Sequence, residues 1–442
     1  MKKKYIIRKV IYIKKVMKTS RKNFLTTGLT ALFAGASVNK LLAENSFSMP
    51  NTSNIDVANN DEKYWQTIRQ LFPLTTDFIY LNNGTMGPSP YPVIEAIKKG
   101  MMDSDQFVNY GSVDKTLEKL GGFVGAKSDE IAFTHNVTEG INIACWGLPL
   151  KLGDEVIMNT HEHVGNALPW LNRQKLHGIV IKTFTPSLTA AETLKSIESL
   201  ITKKTRAIAV PHIPCTQGQI LPVEEICKLA KSKNIFTFID GAHGPGMLPL
   251  DLHKMGCDVY ASCCHKWMLG PKGTGFLYVR KDFQPTLQAY FIGAGGDDAK
   301  WNMMVNPPIM GNYADSAHRY FGGTQSLGLY KGIEAAVDFI TNIGQQNIYN
   351  RINYLGKYTQ DALLSFGDKI ELITPTEQQS RCAVNGFRIK GIDSAKFNQT
   401  ASENKIRIRI VPENGLNSLR ISTHIYNNTS EVDKLMELIR KA

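Results

Sequence analysis

From about residue 130 the chain alternates short apolar runs with longer segments whose apolar residues recur at helical spacing. Short apolar runs bounded by turn residues are typical of buried strands, and apolar positions three and four apart are typical of helices that pack on one side. The predicted strands are EIAFT (130–134), DEVIMN (154–159), GIVIKTF (178–184), RAIAVPHI (206–213), IFTFID (235–240), DVYASCC (258–264) and TGFLYV (274–279). Helix-like segments follow the earlier strands in this series.

Continuous apolar strands that alternate with helices predict a mainly parallel sheet covered on both faces. The turn before TGFLYV is too short for a crossover helix, so this strand is expected to run antiparallel. The predicted fold class is therefore α/β, with a seven-stranded sheet that contains one antiparallel strand.

The pattern changes at about residue 330. Two long helices are predicted from GLYKGIEAAVDFITNIG and IYNRINYLGKYTQDALLSF, followed by strands from CAVNGFRIKG, KIRIRIV and SLRIST, and a last helix from SEVDKLMELIRKA. This arrangement indicates a smaller α+β domain. The predicted organisation is a leader (1–43), an Asn/Ser-rich linker (44–62), a large domain with an N-terminal arm (63–325) and a small C-terminal domain (326–442).

The leader has a basic start and an apolar stretch from Phe24 to Val38. This stretch is shorter than the roughly 20 residues that a transmembrane helix needs, so no stable membrane span is expected. The segment SRKNFL resembles a twin-arginine export signal in which Lys22 replaces the second arginine. We therefore expect export to the periplasm, and a cytoplasmic protein with a basic tail is the alternative.

The net charge is +12, but residues 1–40 hold eleven basic residues and no acidic one. Subtracting those eleven charges leaves +1 for the remaining residues, so the body of the protein offers no basic surface for a nucleic acid.

The seven cysteines are odd in number and form no CxxC motif, which argues against a disulfide framework. His161 and His163 have no completing carboxylate or cysteine cluster, so no metal site is expected.

Polar residues end two successive predicted strands. In open α/β sheets, ligands bind beyond the carboxyl ends of the parallel strands. Asp240 ends IFTFID, and Lys266 follows DVYASCC. A carboxylate there is costly to bury without a cationic partner, and a lysine in a partly dry pocket can act as a nucleophilic amine. The alternatives are an Asx turn at Asp240 and a solvent-exposed Lys266.

A phosphate site is predicted where a helix begins at Thr138, directly after EIAFT. Free N–H groups and the helix dipole favour an anion there, although Thr138 can also be an ordinary N-cap. Pyridoxal 5′-phosphate needs a carboxylate for its pyridinium nitrogen, a lysine for its aldehyde and donors for its phosphate. Asp240, Lys266 and this helix start match those needs, so the sequence predicts this cofactor.

From about Tyr80 to the C-terminus the chain resembles the class V aminotransferases, which are pyridoxal-phosphate enzymes of fold type I. The similarity is strongest to the isopenicillin N epimerase-like branch. It rests on seven segments in order, YLNNGTMGPSP, HNVTEGIN, HEHVGNALPW, FIDGAHGPG, CDVYASCCHKWMLGPKGTGFLYV, RYFGGTQS and LRISTHIYNN.

The resemblance implies a role for each matching cofactor-binding position. Lys266 would form the Schiff base, Asp240 would pair with the pyridinium nitrogen, and His163 would stack on the ring. These three would be the catalytic residues. His243 would lie near the 3′-oxygen of the ring.

The resemblance also implies a phosphate site built from Val137, Thr138 and His265. Thr324 would reach the phosphate of the neighbouring subunit, so a homodimer with shared active sites is expected.

For the substrate, the resemblance implies that Arg420 holds the α-carboxylate through a bidentate pair. Asn83 and Gly84 would line the substrate pocket.

The expected activity is aminotransferase or epimerase chemistry on an amino acid or related amine, with Lys266 moving the α-proton. A cysteine desulfurase or selenocysteine lyase is the alternative enzyme. Desulfurases carry a nucleophilic cysteine on a loop shortly before the arginine strand, and no cysteine lies between Lys405 and Ser422. A non-catalytic protein that binds pyridoxal phosphate is a further alternative.

Overall fold

The structure, a computed structural model, describes residues 61–442. The predicted leader (1–43) and nearly all of the predicted linker (44–62) lie outside the described residues, so the expected export signal stays a prediction. Within 61–442, no helix combines the length and apolar character that a membrane crossing requires.

The helices of the described part are α1 (Glu62–Arg69), α2 (Tyr91–Phe107), α3 (Asp114–Val124), α4 (Val137–Gly147), α5 (Val164–His177), α6 (Ala190–Leu200), α7 (Val223–Ser232), α8 (Leu252–Met255), α9 (Leu327–Ile343), α10 (Gln345–Leu364), α11 (Ser394–Glu403) and α12 (Thr429–Lys441). The strands are β1 (Ile79–Tyr80), β2 (Ile131–Thr134), β3 (Glu155–Asn159), β4 (Val180–Phe184), β5 (Thr205–Pro211), β6 (Phe236–Asp240), β7 (Val259–Cys263), β8 (Gly275–Val279), β9 (Ile370–Leu372), β10 (Val384–Ile389), β11 (Ile406–Arg407), β12 (Arg409–Val411) and β13 (Ser418–Ser422).

A seven-stranded sheet in the order β2-β8-β7-β6-β5-β3-β4 forms the centre of the molecule. Strand β8 runs antiparallel to both of its neighbours, and the other pairings are parallel. The predicted α/β class, strand number and single antiparallel strand are confirmed. The short turn between β7 and β8 allows only an antiparallel return, as the sequence indicates.

The sheet is buried because helices pack against it with apolar side chains. Helix α4 lies very close to β7: a Cβ atom placed on Gly140 would stand only 2.8 Å from the Cβ of Ala261. Two small residues at this contact bring the start of α4 close to the carboxyl end of β7. The same core includes Ile141, Trp170, Phe238, Leu277 and Val279.

A second, antiparallel sheet has the order β12-β13-β10-β9, and β1 pairs in parallel with β11. The sequence prediction of one continuous strand for KIRIRIV is wrong. The chain divides at the buried Ile408, because β11 pairs with β1 whereas β12 pairs with β13. The division places Arg409 directly opposite Arg420.

Helix α9, which opens the predicted small domain, packs along α2 of the predicted large domain. The two helices meet at glycines, where a Cβ on Gly100 would lie 2.9 Å from the Cα of Gly328. The described residues belong to one compact unit. The predicted division between 63–325 and 326–442 stays a prediction.

Candidate active site

Asp240 ends β6 at the edge of the sheet where the parallel strands terminate. It lies opposite Pro211 of β5 and Ala261 of β7, and its side chain is buried. One carboxylate oxygen accepts a 2.9 Å hydrogen bond from the N–H of Ala242. Burial raises the pKa of Asp240, and the Ala242 N–H and the positive charge of Lys266 partly oppose this rise. A cation next to this carboxylate would therefore be stabilised.

Lys266 lies in the turn after β7, and its side chain is half-buried. Its Nζ is 3.3 Å from Nε2 of the buried His243. Burial lowers the pKa of His243 well below its usual range, and the charge of Lys266 adds to this effect. The structure therefore brings Lys266, His243 and Asp240 together at adjacent strand ends.

The segment that follows β1 closes against this turn. The N–H of Gly87 donates a 2.7 Å hydrogen bond to the carbonyl of His265. A Cβ on Gly87 would stand 2.1 Å from the carbonyl oxygen of Lys266, so only glycine allows this approach. At Gly84, a Cβ would lie 3.2 Å from Cε1 of His243 and 3.3 Å from Nη2 of Arg420. Gly84 thus lies between these two side chains, and its role in lining a substrate pocket stays a prediction.

The predicted phosphate site differs in one detail. Helix α4 begins at Val137, and the side chain of Asn136 caps it by accepting a 3.0 Å hydrogen bond from the N–H of Glu139. The expected helix start at Thr138 is therefore one residue late, and Thr138 is not the N-cap. A Cβ atom placed on Gly165 would lie 2.9 Å from Oγ1 of Thr138. The start of α4 therefore lies next to the start of α5.

His163 is the N-cap of α5 and accepts a 3.0 Å hydrogen bond at Nδ1 from the N–H of Gly165. Solvent reaches its side chain. The surrounding protein and the charges of Lys266 and Arg409 still lower the pKa of His163 to about 4. The imidazole is therefore neutral at pH 7, which suits a ring that stacks on another ring.

His265 contains a buried Nδ1 atom that has no hydrogen-bond partner. Burial, Lys266 and Lys272 lower the pKa of His265 to about 4. An unsatisfied buried nitrogen beside the lysine turn is suited to a polar ligand. Thr324, by contrast, is exposed in the segment before α9, and it makes no hydrogen bond to the residues described above within this chain.

Arg420 is almost fully buried and has only neutral partners. Nη1 donates to the carbonyl of Cys215 at 2.9 Å, and Nη2 donates to Oδ1 of Asn82 at 2.9 Å and to Oγ1 of Thr85 at 2.8 Å. Its Nε has no partner. Burial and the neighbouring Arg409 lower its pKa to about 10, so the guanidinium stays charged at neutral pH without an adjacent carboxylate.

The predicted pocket residue Asn83 is completely buried. Its Oδ1 accepts a 2.9 Å hydrogen bond from the hydroxyl of Tyr426, and its N–H donates to the carbonyl of Ser422. Its Nδ2 has no partner. Asn83 therefore holds the segment that follows β1 against β13, and its buried amide nitrogen is left without a hydrogen-bond acceptor.

Sequence reasoning missed two ionisable residues of this site. Arg409 lies opposite Arg420, pairs with Glu413 and contributes to the lowered pKa values of His163 and His243. The alternation of arginine and isoleucine in RIRIV is a signal that could have indicated it. The pairing of β12 with β13 decides which face of the sheet Arg409 occupies. This pairing could not be predicted from the local sequence.

Glu162 is the other missed residue. Its buried carboxyl accepts hydrogen bonds from Asn159 Nδ2 at 3.0 Å and Asn166 Nδ2 at 2.8 Å. Burial raises its pKa well above the usual range, and Asp240 adds to the rise. A carboxyl flanked by two histidines after a strand, with asparagines on both sides, is the signal that could have identified it.

The family model described as Aminotransferase class-V matches residues 95–435. The chain belongs to this family. The resemblance stated from the sequence is confirmed, and so is the fold, because solved structures of this fold superpose on most of the chain. Since the class V family depends on pyridoxal 5′-phosphate, the predicted cofactor is also confirmed.

The chain is similar to proteins of more than one activity. An isopenicillin N epimerase of Amycolatopsis lactamdurans is 27% identical over 391 residues, which cover 85% of this chain and 98% of that protein. A probable cysteine desulfurase of Borreliella burgdorferi is 31% identical over 346 residues, which cover 74% of this chain and 81% of that protein. The cysteine desulfurase structure from Thermococcus onnurineus NA1 has a TM-score of 0.74 at 24% identity and covers 85% of this chain and 98% of that chain. Membership in the class V family therefore leaves the specific reaction open.

The residues of this class V site fit pyridoxal 5′-phosphate. Asp240 is a buried carboxylate that a neighbouring cation would stabilise. Lys266 is a half-buried amine at the same edge of the sheet. The buried Nδ1 of His265 lacks a partner, and the start of α4 offers backbone N–H groups nearby. These groups have the chemistry that the ring nitrogen, the aldehyde and the phosphate of the cofactor would need.

His212, a buried histidine beside the site, should couple stability to pH. It follows β5, its N–H donates to the carbonyl of Asp240 at 2.8 Å, and burial lowers its pKa from 6.5 to about 4. The unfolded chain binds this proton at a higher pH than the folded one does. The stability that the neutral ring contributes is therefore complete above pH 6.5 and is lost as the pH falls toward 4.

We expect His212→Asn to reduce the slope of unfolding free energy against pH by about 1.4 kcal/mol per pH unit between pH 6 and 5. Urea unfolding at a series of pH values measures the slope. The exposed His177→Asn variant is the control and should keep the wild-type slope. Identical slopes in all three proteins would show that His212 is not held neutral in the folded state.

Proposed function

We propose that this protein is a pyridoxal-phosphate enzyme that moves the α-proton of an amino acid or related amine, in an aminotransferase or epimerase reaction. The observation that carries the proposal is the convergence of Lys266 and His243, 3.3 Å apart, on the sheet edge where Asp240 is buried. One amine and one acid at adjacent strand ends form the pair that the cofactor requires.

When bound, the cofactor supplies an electron sink that makes a proton on the substrate's α-carbon removable. Lys266 would hold and return that proton, because Nζ is a basic atom whose side chain is only half-buried and free to turn. Asp240 would stabilise a positive ring nitrogen through its buried negative charge. The neutral His163 would cover the ring face and restrict water.

Arg420 would hold the α-carboxylate of the substrate. It has a full charge, only neutral partners and an Nε without a partner. Arg409, directly opposite on β12, adds a second positive charge to the same region, although Glu413 partly neutralises it. The excess of cations over anions at this point favours an anionic end of the substrate.

Desulfurase chemistry is a less favoured proposal, because a persulfide-forming nucleophile needs an accessible thiolate. All seven cysteines are buried. Cys215 is the one nearest to Arg420, and burial raises its pKa. A thiol in that state is a poor nucleophile at neutral pH, so release of sulfide from L-cysteine is not expected.

The direct experiment is incubation of the protein and cofactor with a panel of amino acids in deuterated water. Mass spectrometry follows deuterium at the α-carbon, and a dehydrogenase-coupled assay follows oxo-acid formation. We expect Lys266→Ala to lose the visible absorption of the bound cofactor and to slow exchange by about 10²–10⁴-fold, because the proton-transfer group is absent.

The exposed Lys254→Ala variant on α8 is the control for removing a lysine, and it should exchange like the wild type. Exchange at the wild-type rate in Lys266→Ala, or an unchanged visible spectrum, would refute the role of Lys266. Sulfide release from L-cysteine without α-proton exchange in other substrates would favour the desulfurase alternative.

Asp240→Asn tests the buried charge separately. Asparagine keeps the acceptor oxygen for Ala242, so the fold and cofactor binding should persist, whereas exchange should slow by roughly 100-fold because the ring nitrogen loses its charged partner. Asp258→Asn is the matched control, since Asp258 is also buried but pairs with Arg280 and Thr237. Equal exchange rates in the two variants would contradict the proposed role of Asp240.

We also propose that the active enzyme is a homodimer. A large apolar surface supports this state, and monomeric soluble proteins rarely expose such patches. One groove is lined by Thr138, Val164 and Leu168, and a second groove is lined by Phe291 and Gly323. Asn142 lines both grooves, so they are neighbours on the surface. Further exposed apolar side chains on the segment after β8 are Tyr290, Trp301, Met303 and Met304. This surface is continuous with the proposed phosphate site and lies beside Thr324.

The expected mass in solution is about twice the 49.2 kDa of one chain, as measured by light scattering after gel filtration. Phe291→Asp should shift the protein toward the monomer, because Phe291 is 76% exposed in a single chain. Leu152→Asp is the control: Leu152 is 83% exposed but lies in the turn before β3, away from Thr138. A monomeric wild type, or two variants that dissociate equally, would contradict this dimer surface.

A further inference from the structure

His243 has two ring nitrogens with different partners. Nδ1 lies 3.1 Å from Nε1 of Trp267, and Nε2 lies 3.3 Å from Nζ of Lys266. An indole N–H can only donate, so Nδ1 must accept with its lone pair. A neutral imidazole that accepts at one nitrogen carries its proton on the other.

The proton of His243 therefore belongs on Nε2, and it points toward the nitrogen of Lys266. The contact is a hydrogen bond when the group at that position offers a lone pair. In an imidazolium both ring nitrogens carry a proton. The proton on Nδ1 would then point directly at the indole N–H of Trp267, which is unfavourable.

Trp267 is itself held in place. It is completely buried, and its ring stacks on that of His424 with centroids 5.6 Å apart. His424 accepts a 2.8 Å hydrogen bond at Nδ1 from the N–H of Ile425. Its Nε2 then donates to the carbonyl of Trp267 at 3.1 Å. The indole and the backbone of Trp267 are thus fixed together, and the N–H cannot turn away from His243.

We propose that Trp267 is a positioning residue that keeps His243 as the neutral Nε2–H tautomer, so that this N–H points toward the position of the Lys266 nitrogen and can donate to any lone pair there. The identity of the group that accepts this hydrogen bond when the cofactor is bound depends on the proposed function. The assignment of the tautomer does not depend on it, because the contacts that fix the tautomer lie within this chain.

The charges around His243 act in the same direction. Burial and the positive charges of Lys266, Arg420 and Arg409 all disfavour a positive charge on its ring. These three charges come from the β7–β8 turn, β13 and β12. They disfavour the imidazolium. As an ammonium, Lys266 can only donate and would by itself favour a lone pair on Nε2, but its long side chain is flexible. The indole N–H of Trp267 is fixed by stacking and burial, so the selection of the Nε2–H form depends on Trp267.

The test uses the cofactor-free protein labelled with ¹⁵N-histidine. In two-dimensional ¹H–¹⁵N spectra, a nitrogen with a lone pair resonates far from one that carries a proton, so the tautomer is read directly. The spectrum of His243→Gln assigns the His243 signals among the ten histidines. We expect Nδ1 of wild-type His243 to have a lone pair and Nε2 to carry the proton from pH 6 to pH 8.

Trp267→Phe keeps a buried aromatic ring but removes the donor. We expect averaged nitrogen shifts for His243 in this variant, from exchange between the two tautomers. The control is Trp65→Phe, which also shortens a fully buried tryptophan but removes an N–H that has no hydrogen-bond partner. This variant should leave the His243 signals unchanged.

A second measurement uses the loaded enzyme. Loss of one oriented hydrogen bond should weaken pyridoxal-phosphate binding by about tenfold in Trp267→Phe, and Trp65→Phe should bind as the wild type does.

A proton on Nδ1 in the wild type would overturn the proposal even if Trp267→Phe failed to fold. An unchanged His243 spectrum in a folded Trp267→Phe protein would overturn it as well. Failure of the Lys266→Ala test, with the expected tautomer observed, would instead count against the proposed function alone.

Discussion

The parallel pairing of β6 with β7 is the constraint on which the site depends. This pairing sets Asp240 opposite Ala261, so that the acid lies next to the strand whose following turn contains Lys266. A shift of one residue would direct Asp240 to the other face of the sheet. The close contact of Gly140 with Ala261 ties the start of α4 to the same strand. Acid, amine and helix start are therefore positioned by one strand pair rather than by separate loops.

Electrostatics explains why the histidines around this strand pair are neutral. Burial by the surrounding protein is the largest cause of the lowered pKa values of His163, His243 and His265, and the positive charge of Lys266 adds to it at all three. Arg409 and Arg420 act on His163 and His243, whereas Lys272 acts on His265. Neutral rings can donate, accept and stack without competing for an anionic ligand. The cationic groups are thus kept for the ligand's anions.

The parts of the fold and site that depend on local pattern could be predicted from the sequence. Apolar runs and their turns indicated the strands, and the rule for open sheets then located Asp240 and Lys266 at their ends. The roles of Arg420 and His243 required a family resemblance, because no local pattern assigns them. Arg409 was missed because KIRIRIV divides between two sheets, an outcome of long-range strand pairing. Asn136 was missed as a cap because Asn136 and Thr138 are both residue types that cap helices, and the local sequence does not select between them.

Arg420 is a buried charge without a charged hydrogen-bond partner. Its guanidinium is fully charged and buried, yet it contacts only a carbonyl, an amide oxygen and a hydroxyl. Neutral acceptors offset only part of the cost of removing a charge from water. In the proposed function, an α-carboxylate would restore a charged partner and could use a donor, Nε, that is otherwise unsatisfied. Its affinity would then come from relieving a cost that the folded protein already bears, and the neighbouring charge of Arg409 increases that cost.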